Sequence, residues 1–110
     1  MEDGYRIMRE LLELKDKPTA VFAYSDLLAI GALKAIKEAK INIPKDIALV
    51  GYDDIEFSEF LEPPLTTVHQ PRYRIGEEGA KILINRIENK DSEGLHQIVL
   101  KPNLVVRKSA

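Results

Sequence analysis

Tyr5, Met8, Leu11, Leu12 and Leu14 recur at helical spacing with Arg6, Arg9, Glu10, Glu13 and Lys15 among them, which predicts an amphipathic helix over residues 4–15, bounded by Pro18. Two short apolar runs follow, Ala20-Val21-Phe22-Ala23-Tyr24 and Ile47-Ala48-Leu49-Val50. Both are rich in apolar and β-branched or aromatic residues, are bounded by proline or charged breakers, and read as buried strands. Between them a second helix is predicted over about 26–39, with Ser25 as its N-cap and Asp26 placed where the positive end of the helix dipole favours a carboxylate. This helix starts Leu27-Leu28-Ala29-Ile30-Gly31-Ala32-Leu33, apolar on nearly every side, and becomes amphipathic later, with Lys34, Lys37 and Glu38 on its polar face. One flank of its first half is therefore expected to meet something besides the sheet. Strand, helix and strand in this order form a right-handed crossover, which makes the two strands parallel members of one sheet.

Ile55 to Pro64 is too short and too proline-bounded for a long helix and predicts one or two turns, whose Phe57 and Phe60 need cover. Thr66-Thr67-Val68-His69 reads as a short extended piece. Pro71 opens a third helix through about Glu88, with Ile75, Gly79, Ile82, Leu83 and Ile87 on one stripe that must be buried somewhere. Residues 89–95 are polar and loop-like, and Gln97-Ile98-Val99-Leu100 and Leu104-Val105-Val106-Arg107 read as two closing strands.

Composition narrows the class. A chain of 110 residues with 45% hydrophobic content can form one globular unit, and its lack of cysteine removes disulfides and thiolate metal sites, which fits a reducing cytoplasm. Sixteen basic against eighteen acidic residues leave a net charge of -2, and basic residues cluster no further than pairs such as Arg107-Lys108. No electrostatic footprint for nucleic acid results, so these residues alone are not expected to bind DNA tightly. The chain has no apolar run of the roughly 18 residues a membrane span needs, and Met1-Glu2-Asp3-Gly4 does not open a signal peptide. A soluble protein with no membrane partner is expected.

The two polar turns, Ser25-Asp26 and Gly51-Tyr52-Asp53-Asp54, share one sheet edge under this reading, and ligands of open α/β sheets sit in the crevice beyond the carboxyl ends of the strands. Asp53 is the leading candidate. An ionised carboxylate there can accept hydrogen bonds from two neighbouring sugar hydroxyls or from ring N–H groups of a purine; the alternative is a loop carboxylate that caps a turn or pairs with a lysine. Asp54 is expected to orient the loop or cap the short helix after it. Ser25 is either a plain N-cap or a ligand contact, and Asp26 suits a structural role near the helix N-terminus. His69 and His96 have no second ligand at metal spacing, so no metal site is expected. A catalytic reading would pair Asp53 with Asp54 or Asp26 around magnesium, yet the chain has no Gly-rich phosphate loop and no nucleophile beside a base. No enzyme and no cofactor are expected.

Pro18-Thr19-Ala20-Val21-Phe22, Ser25-Asp26, Ala29-Ile30-Gly31-Ala32, Ile43-Pro44-Lys45-Asp46-Ile47, Val50-Gly51-Tyr52-Asp53-Asp54, Pro64-Leu65-Thr66-Thr67-Val68 and His69-Gln70-Pro71, in this order and spacing, closely resemble the carboxy-terminal part of LacI/GalR-type bacterial transcriptional regulators. The resemblance covers essentially the whole chain. It implies an α/β fold: the parallel-sheet sandwich lobe of a periplasmic-binding-protein-like core, incomplete, comprising the carboxy-terminal lobe plus one crossover helix. Residues 1–65 would belong to that effector-binding lobe, 66–90 would be a hinge strand and a helix that packs on the absent amino-terminal lobe, and 91–110 would return as closing strands. The helix-turn-helix that reads operator DNA in the family has no counterpart here.

The resemblance also implies site residues and partners. The aspartate matching Asp53 contacts the effector in the family, Ser25 stands where many members carry a ligand-touching asparagine, and Gln70 matches a position near the effector in some. Asp26 joins this ligand-binding set beside the partner loop. Family members dimerise through this lobe, and Leu27, Ile30, Phe60 and Leu61 fall where that interface would be. The expected partners are a small-molecule effector, a sugar or sugar derivative, a second copy of the chain, and operator DNA through the missing domain alone. Alternative readings are a sugar-binding protein of a transport system, and a dimerisation module that binds no ligand.

Overall fold

Parallel pairing of β1 (Ala20–Phe22) with β2 (Ala48–Asp53), Ala20 opposite Ala48 and Phe22 opposite Val50, frames this computed structural model, which describes residues 1–88 and 97–110. β3 (Thr66–His69) adds parallel to β2, with Val50 opposite Thr66 and Asp53 opposite His69, and β4 (Asn103–Val105) closes the sheet antiparallel to β3. The strand order is β1-β2-β3-β4. With α1 (Glu2–Leu12), α2 (Asp26–Glu38) and α3 (Arg72–Ile87) the architecture is a parallel-dominated α/β fold, as expected.

The chain divides into two compact units, residues 1–69 with 103–110, and residues 70–102. In the first unit the core lies between the sheet and the two helices. Leu49 from β2, Leu65 just before β3, Ala29, Ala35 and Ile36 from α2, and Met8 from α1 are all at or below 1% exposure. The helices cross closely because Gly4 and Gly31 sit at the contact: a methyl on Gly31 would stand 2.0 Å from the Met1 carbonyl oxygen. Tyr5 ties them together at the surface, donating to Glu38 Oε2 at 2.6 Å with the Lys34 ammonium 5.0 Å from its ring centre. α2 starts as its sequence predicts, with Leu28 N–H donating to Ser25 Oγ at 3.3 Å. It ends in a left-handed Lys40, φ 58°, while Ile41 N–H reaches back to Ile36 C=O, a turn for which glycine is the usual signal.

Several expectations require correction. β1 is not buried: Phe22 is 64% exposed, because among the described strands β1 pairs with β2 alone and its outward face has no layer over it. β2 does not stop at Val50 but runs through Gly51-Tyr52-Asp53, since pairing with β3 continues to Asp53 opposite His69. The segment after Asp54 forms a short 3-10 turn, Glu56–Glu59, and leaves Phe57 and Phe60 uncovered at 68% and 77% exposure. Of the two closing strands one forms; Gln97–Leu100 is irregular and belongs to the second unit. The predicted loop at 89–95 lies outside the described residues.

The second unit is built on α3, whose residues include none that is buried, with Ile75, Leu83 and Ile87 each about half exposed or more. Its polar face carries Lys81 between Glu77 and Glu78, at 2.8 and 3.0 Å.

Candidate ligand-binding site

Register brings the sequence candidates of the first unit to one edge. β1 ends at Phe22 opposite Val50, Ser25 follows three residues later as the N-cap of α2, and β2 continues to Asp53, which stands opposite His69 on the next strand. Ser25 and Asp53 are both half-buried. Gln70 follows His69 in the chain and opens the second unit.

The turn after β2 has an unusual backbone. Asp53 and Asp54 have φ of 114° and 52°, two consecutive left-handed residues that are not glycine. Aspartate tolerates this region better than most residues, but such conformations persist where their surroundings over-determine them. Here the surroundings do so from three directions. Asp54 N–H points to Thr67 Oγ1 at 3.4 Å, and Ile55 N–H donates to Asp26 Oδ2 at 3.0 Å. The Asp54 carboxylate lies between the Arg107 guanidinium, 2.8 Å from Oδ1, and His69 Nδ1, 2.9 Å from Oδ2. Burial pushes this carboxyl up, but hydrogen bonds and charge from Arg107 and then His69 outweigh that and hold it below the usual carboxylate range.

Asp26 is the buried counterpart of this arrangement. It is 0% exposed, and besides Ile55 N–H it accepts from Thr67 Oγ1 and from Ser58 Oγ, both at 2.5 Å. Both carboxylate oxygens are thus engaged inside the protein. Through these contacts Asp26 joins α2, β3 and the turn after β2. Gly51 permits it: a Cβ there would stand 2.2 Å from Asp26 Oδ1.

Three features escaped the sequence reading. Arg107, near the chain end, is fixed by Nη1 on Leu65 C=O and by its own N–H on Thr66 Oγ1, at 2.8 and 2.9 Å, and reaches the Asp54 turn. Ser109 is fully buried, donating to Leu49 C=O and accepting from Thr66 N–H. Third, Phe22 and Tyr52 pack edge to face with centres 6.4 Å apart, and Tyr24, beside Ser25, is 86% exposed, so aromatic surface flanks the strand ends. A strand-end aromatic is a recognisable signal for ring binding; a lone buried serine with no neighbouring motif is not.

Chemically the edge offers a half-buried carboxylate on a fixed backbone beside aromatic rings, a combination suited to a small polyhydroxylated or ring-bearing ligand. Among the described residues no group of three metal-ligating side chains occurs, His96 lies outside them, and no helix is long and apolar enough to cross a membrane. The residues expected at an interface between copies divide. Leu27 is 50% and Phe60 77% exposed, Ile30 is half-buried, and Leu61 packs against the hydrophobic core.

Comparison with known proteins agrees with this architecture. The model of the periplasmic binding protein-like domain family matches residues 1–110. A curated relative, the HTH-type transcriptional repressor PurR of Mannheimia succiniciproducens, is 46% identical over 108 residues, covering 98% of this chain and 32% of its own length. The chain thus spans about a third of that relative. Among solved structures, the transcriptional regulator CelR in complex with cellobiose is 42% identical with TM-score 0.91, over 97% of this chain and 32% of CelR. A LacI family regulator from Enterococcus faecium with bound ribose is 38% identical with TM-score 0.84, over 96% and 38%. The lac repressor dimer bound to operator and the anti-inducer ONPF is 33% identical with TM-score 0.86, over 96% and 36%.

Proposed function

The chain belongs to the periplasmic binding protein-like domain family as part of the effector-binding region of a LacI/GalR-type regulator, and from that membership we propose that its strand-end edge contributes the Asp53 half of a sugar site in a cytoplasmic, dimeric transcriptional regulator. The observation that carries this reading is the Asp53-Asp54 turn: two left-handed residues held by Asp26, Thr67, Arg107 and His69 at the carboxyl end of a parallel strand. Such a scaffold fixes a carboxylate for charge-assisted hydrogen bonds to neighbouring hydroxyls. Ser25 supplies a further polar contact. The cellobiose and ribose complexes of the solved relatives support a sugar as the ligand class.

The function follows from linkage. A ligand that binds one arrangement of two lobes better than another shifts the balance between them, and in the complete regulator this shift sets operator affinity through the DNA-binding domain. This chain alone holds about a third of its relatives' length, so its own affinity is weak. Leu27, Ile30, Phe60 and Leu61 form the contact with a second copy; the exposure of Leu27 and Phe60 and the dimeric state of the solved lac repressor support this.

The test is an NMR titration of this chain with ribose, with Asp53→Asn as the control. Saturable shifts at Ser25, Asp53 and Ile55 that the substitution abolishes support the reading. Shifts with a purine base instead of ribose keep the site and change the ligand class, and shifts with neither overturn it.

A further inference from the structure

We propose that Asp54 and Arg107 are positioning residues that hold the Asp53 carboxylate in place for the ligand, so that the carboxy-terminal tail is a working part of the binding edge. This rests on the reading of Asp53 as a ligand contact. The tail reaches the turn over 53 residues of sequence through one guanidinium, and the geometry of that guanidinium is divided. Nη2 meets Asp54 Oδ1 and Nη1 meets the Leu65 carbonyl, both at 2.8 Å. Its backbone N–H is fixed on Thr66 Oγ1, and its side chain is 18% exposed. Arg107 is therefore a rigid strut from β3 to the turn, whereas a surface arginine would be a mobile counter-ion.

The turn needs such a strut. Asp53 at φ 114° and Asp54 at φ 52° occupy backbone conformations that L residues other than glycine rarely adopt, and the carboxylate of Asp53 is aimed by that backbone. Asp54 is clamped on both oxygens, Arg107 on one side and His69 on the other, so its side chain locks the turn. The shared carboxylate also links the tail to the last residue of β3, immediately before Gln70. The depressed titration of Asp54 agrees with a carboxylate held ionised by these two partners.

Lysine can replace the charge of Arg107 but not its two-pronged reach, which separates positioning from simple charge balance. The experiment compares the chain with Arg107→Met, Arg107→Lys and Asp54→Asn by NMR, reading the backbone signals of Asp53–Ile55, the Asp54 carboxyl titration, and ribose affinity. Arg107→Met is expected to move the Asp53–Ile55 signals while leaving those of Tyr5 and Met8 in α1 in place. It also raises the Asp54 titration toward the ordinary carboxylate range and weakens ribose binding about tenfold, the scale of one charge-assisted contact. Arg107→Lys recovers part of each effect. If Arg107→Met does not fold, Asp54→Asn is expected to give the same movement of the turn and loss of ribose affinity. Asp53 signals unchanged in the folded variants, or ribose affinity unchanged while they move, overturn the proposal. A turn that moves in a protein whose unsubstituted form gives no ribose shifts leaves the strut standing and removes the sugar reading.

Discussion

Thr67 Oγ1 donates to Asp26 Oδ1 at 2.5 Å across 41 residues of sequence, joining the middle of β3 to the first turn of α2 inside the protein. With Ser58 Oγ and Ile55 N–H on the other oxygen, one buried carboxylate satisfies three donors from two segments, β3 and the short turn after β2. Asp26→Ala leaves all three unsatisfied, and at about 1–3 kcal/mol for each orphaned buried group the loss is on the order of 3 kcal/mol or more. Asp26→Asn retains one acceptor but cannot receive from the Ile55 N–H through its amino group, so its cost falls between. Urea unfolding midpoints in the order unsubstituted, Asn, Ala are expected; an Ala variant as stable as the parent contradicts this account.

The same carboxylate dictates the residue at position 51. An alanine methyl there would stand 2.2 Å from Asp26 Oδ1 and 2.9 Å from Leu65 Cδ2, and Asp26 is pinned too firmly to yield. Gly51→Ala is expected to destabilise the first unit by about 1–3 kcal/mol through overpacking. Gly76→Ala in α3 gives the opposite sign, because no described atom lies within 4 Å of the added methyl. Relief of glycine's entropy in a helix then stabilises α3 by about 0.5–1 kcal/mol, read as increased helical circular dichroism on warming.

Acid should weaken the turn at Asp54. Its folded-state carboxyl titrates below the unfolded value, so the stability it contributes is present above the ordinary carboxylate range and is lost as pH falls from about 4 through the lower folded value. Asp54→Asn removes this component and flattens the acid limb of a stability-against-pH profile. A steep limb of undiminished slope in Asp54→Asn would assign the acid sensitivity to other groups.

The parts of this fold legible in the sequence were those set by local pattern. Ser25 capping α2, Pro71 before α3, and the parallel pairing of two apolar runs followed from capping chemistry, fixed proline geometry and crossover length. Strand ends were less legible. Gly51-Tyr52-Asp53 has the composition of a turn, and it is pairing with Thr67-Val68-His69 that makes it a strand. Gln97–Leu100 has the composition of a strand but does not form one. At the candidate site, Asp53 and Ser25 could be singled out because each is a polar residue soon after an apolar run that reads as a strand, even though the exact end of β2 was not legible. The Asp26, Arg107 and Ser109 contacts join residues 41, 53 and 60 positions apart and carry no local signature.

Self-association can be assigned to a surface because the four residues proposed for it differ in burial. Phe60 is 77% and Leu27 50% exposed, so a charge at either meets water in the monomer and leaves the fold intact. Leu61 packs against the hydrophobic core, so Leu61→Glu buries part of a carboxylate and lowers stability along with association. Sedimentation equilibrium is expected to show a dimer for the parent chain and a monomer for Phe60→Glu, with the unfolding free energy of Phe60→Glu within about 0.5 kcal/mol of that of the parent diluted until its dimer dissociates, as for an exposed substitution. A Phe60→Glu protein that remains dimeric would move the contact to another apolar surface. The foremost is the α3 stripe, whose Leu83 and Ile87 are 60% and 70% exposed, and Leu83→Glu would then be the variant that yields a monomer.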